Sequence, residues 1–83
     1  MTLNVLYFAW LRERIGQGSE AVETEAATVA DLVAELRARE ERYALAFSDM
    51  AAVRVAVDQE LAGLEAPLAG VREVAFFPPM TGG

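Results

Sequence analysis

The sequence predicts an α+β domain: a mixed β-sheet with one main helix packed across it and an extended C-terminal tail. Three observations predict it. Runs rich in branched and aromatic residues stand near both ends of the chain, one amphipathic helical period stands between them, and a hairpin-like pair of strands flanks that helix on each side. Terminal strands that both look buried are satisfied by lying side by side, in parallel, in the sheet centre. At 83 residues the chain holds one small domain and no second one. Residues 1–77 are assigned to that domain and residues 78–83 to the tail.

Residues 3–9 (LNVLYFA) read as the first strand, with Leu3, Val5 and Tyr7 on one face and Asn4, Leu6 and Phe8 on the other. Both faces are mostly apolar, so cover on both is expected. Residues 9–15 suit about a turn and a half of helix, stopped at Gly16. Residues 19–25 (SEAVETE) alternate weakly and are mostly polar outside Val22, as an edge strand paired to the first would be. Residues 28–39 carry Val29, Leu32, Val33 and Leu36 in one helical stripe. Thr28 suits the N-cap, Asp31 imitates a capping box, and Arg37 and Arg39 close the last turn as the helix dipole prefers. Glu35 and Arg39 are spaced for an ion pair along that helix.

Tyr43, Leu45 and Phe47 suit packing under a loop or in a short helical turn. Residues 53–57 (VRVAV) read as a strand with its three valines toward the core and Arg54 and Ala56 outward. Asp58-Gln59 suits a tight turn, and residues 60–62 return as a short strand. Gly63, Pro67 and Gly70 break the next stretch. Residues 72–77 (REVAFF) form the last strand, with Val74 and Phe76 on one face and Ala75 and Phe77 on the other.

The composition excludes most chemistry. A net charge of −6 and a pI near 4.4 oppose nucleic-acid binding and anionic membrane surfaces. All seven basic residues are arginine; the chain has no Lys, His or Cys. Schiff-base and P-loop lysines, the usual metal ligands, cysteine nucleophiles, disulfides and the Ser-His-Asp triad are thereby removed, and no bound cofactor or metal is expected. The longest apolar run, residues 5–11, is far short of the roughly 20 residues that span a membrane. No basic n-region with a small-residue cleavage site is present, so the cytoplasm is the expected compartment. The acids Glu40-Glu41 read as a solvated helix end.

The tail is the informative feature. Pro78-Pro79 favours an extended conformation, and Gly82-Gly83 has no side chains, so a terminal carboxylate there can enter a narrow channel. Six extended residues reach about 20 Å at most. Such a carboxylate can attack the α-phosphate of ATP to give an acyl-adenylate, which then accepts sulfur or an amine. The chain has no GxxxxGK motif and no lysine to bind ATP, so activation must happen in trans. Gly-Gly alone reads more readily as a flexible stub; the preceding Phe-Phe-Pro-Pro and the predicted fold reverse that reading.

The order of elements and the ending Phe76-Phe77-Pro78-Pro79-Met80-Thr81-Gly82-Gly83 resemble the small, sulfur-carrying subunits of molybdopterin synthase. Tyr7-Phe8-Ala9 with Leu11-Arg12-Glu13, Val57-Asp58-Gln59 with Leu61, Pro67-Leu68, and Glu73-Val74-Ala75 match as well, so the resemblance covers essentially the whole chain. It implies a ubiquitin-like β-grasp fold. It also implies that an E1-like adenylating enzyme, using ATP in trans, adenylates Gly83, and that a sulfurtransferase system converts it to a thiocarboxylate. The subunit, non-catalytic alone, then docks Pro78, Pro79, Met80, Thr81, Gly82 and Gly83 into the large synthase subunit. There it donates sulfur to cyclic pyranopterin monophosphate, as part of a hetero-oligomer.

Arg12, Leu61 and Phe77 match family positions at the partner surface. Alternation sets Phe77 beside Leu6 and Phe8, away from the valines, in an exposed apolar patch. Three departures stand out: Met80 replaces a frequent Val, Gly70-Val71-Arg72 replaces a more acidic turn, and Trp10 is large enough to add to the interface. The alternatives are a thiamine-pathway sulfur carrier, a protein-conjugating ubiquitin-like modifier, and a non-enzymatic β-grasp binding module with an inert tail.

Overall fold

Alternating burial in the first strand orders the whole sheet. In β1 (Thr2–Tyr7), Leu3, Val5 and Tyr7 are buried, whereas Thr2 and Asn4 are exposed and Leu6 is half-buried. A computed structural model describes residues 1–79; Met80, Thr81, Gly82 and Gly83, where the sequence places the reactive tip, lie outside the described residues. After β1 come α1 (Trp10–Ile15), β2 (Ser19–Glu23), α2 (Val29–Arg39), α3 (Glu41–Ala46), a 3₁₀ turn (Met50–Ala52), β3 (Arg54–Val57), β4 (Glu60–Ala62) and β5 (Glu73–Phe77). The sheet order is β2-β1-β5-β3-β4. β1 and β5 run parallel at its centre, and every other neighbouring pair is antiparallel.

One sheet face is packed against the helices. Leu3, Val5, Val55, Val74 and Phe76 meet Val29, Leu32 and Leu36 of α2 in a single core. Val57 is only partly buried, because β3 approaches its turn there. Phe76 is central to an aromatic cluster. It stacks on Tyr7 at 6.2 Å and 14° and takes Phe47 edge-on at 5.0 Å and 69°, geometries that aromatic pairs favour.

The start of α2 is fully capped. Thr28 Oγ1 accepts from the Asp31 amide at 3.2 Å, and the Val29 and Ala30 amides donate to the Ala66 and Leu64 carbonyls at 3.1 and 2.8 Å. The loop after β4 thus satisfies amides that a helix start leaves unpaired, and it buries Leu68 beneath them. The expected Glu35–Arg39 pair does not form: the Glu35 carboxylate accepts from the Thr24 hydroxyl, and Arg39 reaches Glu20 at 3.5 Å. Tertiary partners on β2 and its flank outcompete a surface contact worth only a few tenths of a kcal/mol. Between Glu40 and Phe47 the chain is helical, so Tyr43, Ala46 and Phe47 turn inward while Leu45 points out, 57% exposed.

Two turns fix the ends of the sheet. Gly16, at φ 93°, ends α1 with its amide bonded to the Arg12 carbonyl, a left-handed position that glycine takes without cost. Asp58 and Gln59, at φ 47° and 71°, form the tight β3–β4 turn. Asp58 Oδ1 also accepts from the Arg72 and Glu73 amides, each at 3.0 Å, tying that turn to the start of β5.

A polar cluster closes the β2 side of the core. The Tyr7 and Tyr43 hydroxyls both donate to Glu20 Oε2, at 2.8 and 2.6 Å. Burial first, then the bond to Glu20 and its charge, push both phenols above the ordinary tyrosine range. An unfolded tyrosine loses its proton near pH 10, so above that pH the folded state holds protons that the unfolded state has released. The cluster's contribution is whole below about pH 10 and is lost as pH climbs through the folded values. With no Lys or Cys in the chain, these phenols are the side chains that titrate between that pH and the arginine range. The melting temperature should hold up to about pH 10 and fall beyond it. Tyr7→Phe should cost about 1 kcal/mol at neutral pH and make the alkaline fall shallower in pH-dependent melts; an equally steep fall would contradict this assignment.

Candidate docking face and tail root

Among the described residues, the second face of the sheet carries no helix. Strand alternation sends Leu6 and Phe8, Ala75 and Phe77, Arg54 and Ala56, and Leu61 to that side. The register brings them into rows. Leu6 lies opposite Ala75, Ala75 opposite Ala56, and Ala56 opposite Leu61. One step along, the Phe8 amide donates to the Phe76 carbonyl at 3.1 Å, which sets Phe8 next to Phe77, and Phe77 lies opposite Arg54. Directly opposed side chains stand about 5 Å apart, so the rows are continuous.

The surface they form is apolar and open. Leu61 is 79% exposed and Phe8 48%, while Leu6 and Phe77 are half-buried. Ala75, at 7%, is screened by its neighbours and leaves the middle of the patch flat. The expected cover on both faces of β1 is therefore absent on this side. Contiguous exposed apolar surface on a small acidic domain makes this face a candidate binding site.

The tail starts from one end of this patch. Phe77 is the last residue of β5, and Pro78 and Pro79 follow, half-buried. Neither proline has an amide to donate, so the parallel ladder ends and the chain leaves the sheet beside Phe8, Phe77 and Arg54. The predicted site residues thus divide. Leu6, Phe8, Leu61 and Phe77 come together, with Pro78 and Pro79 at their margin. Arg12 stands apart on α1, exposed, its guanidinium against Gly18. Trp10, expected to add to the interface, lines a cleft beside α3 with Ala46 and Asp49 instead, and Arg14 lies 5.1 Å over its ring.

Sequence reasoning passed over Arg54. Its outward direction is legible in VRVAV, but its place opposite Phe77 requires the β3–β5 register. Among the described residues no cluster of His, Cys, Asp or Glu could hold a metal, and no helix is long and apolar enough to cross a membrane.

Comparisons with known proteins bear on the family and the fold. A protein-family model described as the ThiS family matches residues 5–83. The chain is similar to the molybdopterin synthase sulfur carrier subunit of Escherichia coli, 41% identical over 98% of this chain and 99% of that one. It is similar to the same subunit of Haemophilus influenzae, 40% identical over the same shares. Among solved structures it superposes on SAMP1 from Haloferax volcanii with a TM-score of 0.76, 26% identity and full coverage of both chains. The architecture is the ubiquitin-like β-grasp.

The two adjacent phenylalanines of β5 should behave oppositely in thermal melts. Phe76→Ala empties a fully buried site and should cost about 3–5 kcal/mol, whereas Phe77→Ala should cost about 1 kcal/mol or less. Equal losses would invert the assignment of faces.

Proposed function

This chain belongs to the ThiS family, whose model spans residues 5–83, and on that premise we propose that it is the sulfur carrier subunit of a molybdopterin synthase. The observation that carries the reading is near full-length identity of 41% and 40% to two subunits of that name. An apolar sheet face that ends at the root of a Gly-Gly tail supports it.

In this reading the terminal carboxylate of Gly83 is the working group. A carboxylate is a poor electrophile because its carbonyl carbon is electron-rich. Attack of its oxygen on the α-phosphate of ATP expels pyrophosphate and leaves a mixed anhydride. A sulfur nucleophile then displaces AMP, and the tail becomes a thiocarboxylate whose sulfur passes to cyclic pyranopterin monophosphate. The chain offers no lysine or phosphate-binding loop for the first step, so an E1-like adenylating enzyme binds the ATP, and a sulfurtransferase supplies the sulfur. The absence of Cys leaves no thiol in the same chain to compete for the activated carbonyl.

The domain contributes position. β5 is held on both sides, by β1 and β3, which fixes where the tail begins. Pro78-Pro79 favours a stiff start to the arm, and Gly82-Gly83 has no side chains to widen its tip. The patch of Leu6, Phe8, Leu61 and Phe77 binds the large synthase subunit, so the tail is delivered to a site up to about 20 Å away. Arg12 is a further contact at the margin.

Three measurements test the reading. Adding one residue after Gly83 should abolish sulfur transfer in a reconstituted synthase with the fold unchanged; full transfer by a chain shown to remain extended would overturn the carrier role. Mass spectrometry of protein from its native host should show a species heavier by the difference between one sulfur and one oxygen atom, whereas a protein modifier would appear as high-mass adducts. Phe77→Ala should weaken binding to the large subunit by about 2 kcal/mol or more, as loss of an aromatic anchor does.

A further inference from the structure

The docking face is not uniformly apolar, and its charges are segregated. The end away from the tail carries Glu73 and Glu23, opposite Asn4 and Thr2 in the register. The end at the tail root carries Arg54, directly opposite Phe77. Arg54 is exposed and folds one guanidinium nitrogen back onto the Ala51 and Val53 carbonyls, at 3.2 and 3.4 Å. Those are weak anchors for a cation. Among the described residues the ion pairs are Met1–Glu25, Arg39–Glu20 and Arg42–Glu40; Arg54 has none, like Arg12, Arg14, Arg37 and Arg72, but of these it is the one directly opposite Phe77.

An arginine in this place has consequences for whatever covers it. A partner that seats on Phe77 and Leu61 removes water from the guanidinium between Phe77 and the 3₁₀ turn. Desolvating a charge without a counter-charge opposes binding, while a matching carboxylate turns the same cation into an anchor and fixes the register of the two surfaces. The guanidinium keeps several donors free for that carboxylate, because the recorded bonds use one of its nitrogens.

We propose that the large-subunit surface covering this face presents an aspartate or glutamate opposite Arg54, forming an ion pair across the interface at the root of the tail. The proposal rests on the reading of the sheet face as the docking surface. Its chemistry is specific: an apolar partner surface with one acidic residue placed against the Phe77 end, rather than a surface that is apolar throughout.

Calorimetric titration of the large subunit with the full chain tests it at low and high salt. Arg54→Leu makes the patch more apolar, so an apolar partner surface would bind it equally or more tightly. With a carboxylate opposite, Arg54→Leu should instead weaken binding by roughly tenfold or more, because the partner's acid is left buried without its cation. Arg54→Glu should weaken it by about a hundredfold or more, and the salt dependence of wild-type binding should be reduced in Arg54→Leu. Unchanged or tighter binding by Arg54→Leu overturns the ion pair. Leu61→Glu serves as the separate control on the reading beneath it. If Leu61→Glu binds normally, the sheet face is not the docking surface and both fail; if Leu61→Glu loses binding while Arg54→Leu does not, only the ion pair fails. Melts of each variant, all at exposed positions, confirm that the domain is folded.

Discussion

The insertion of β5 between β1 and β3 is the constraint on which the rest of the molecule depends. It seats Val74 and Phe76 in the core, closes the aromatic cluster with Tyr7 and Phe47, and turns Ala75 and Phe77 to the open face. Because side chains alternate along a strand, a slip of one residue would exchange Phe76 for Phe77 and lose both the core and the exposed apolar patch together. The register is therefore pinned from outside the strand. Asp58, in the β3–β4 turn, accepts from the two amides that lead into β5, so the hairpin that flanks β5 also sets where it starts.

The two faces of the sheet divide the work. The helix side holds stability: a continuous apolar core, a fully capped α2 and a carboxylate shared by two tyrosines. The open side is the candidate surface for recognition, with small residues in the middle row and large ones at its ends. Flatness in the middle comes from Ala75 and Ala56, which lie directly opposite each other, and the flanking Leu6 and Leu61 stand above them. A chain this acidic would repel an acidic partner at most places on its surface, yet the tail end of the docking face is positive. An arrangement of this kind would favour one orientation of approach over others on the proposed docking surface.

Much of this was legible in the sequence, and the reasons are local. The alternation of residues 3–7 and 73–77 and the spacing of Val29, Leu32, Val33 and Leu36 each follow from one element's own periodicity, so strands, main helix and faces could be read directly. The parallel pairing of the outer segments followed from their shared apolarity. What escaped depended on partners distant in sequence. Glu35 and Arg39 look like a pair along one helix, but Thr24 and Glu20 are nearer to them in space. Leu45 looks like core beside Tyr43 and Phe47, but a helix of a turn and a half can turn only one side inward. Arg54 reads as an ordinary outward charge until the register sets it against Phe77. The patch of Leu6, Phe8, Leu61 and Phe77 was visible because every member lies on a strand whose alternation is clear.

The central pairing also governs when the protein can exist at all. Asn4 meets Glu73 and Tyr7 meets Phe76, so the contacts that close the sheet join nearly opposite ends of the chain, and the loop-closure entropy is paid before they form. High contact order of this kind slows folding relative to helical domains of equal size. During synthesis, β1, α2 and β3 leave the ribosome with no strand to fill the gap between β1 and β3. The aromatic cluster lacks Phe76 and the open face lacks Phe77 until the segment that bears the tail has itself emerged. The packed core and the complete open face are thereby acquired in one late step, and a chain that ends before β5 has neither.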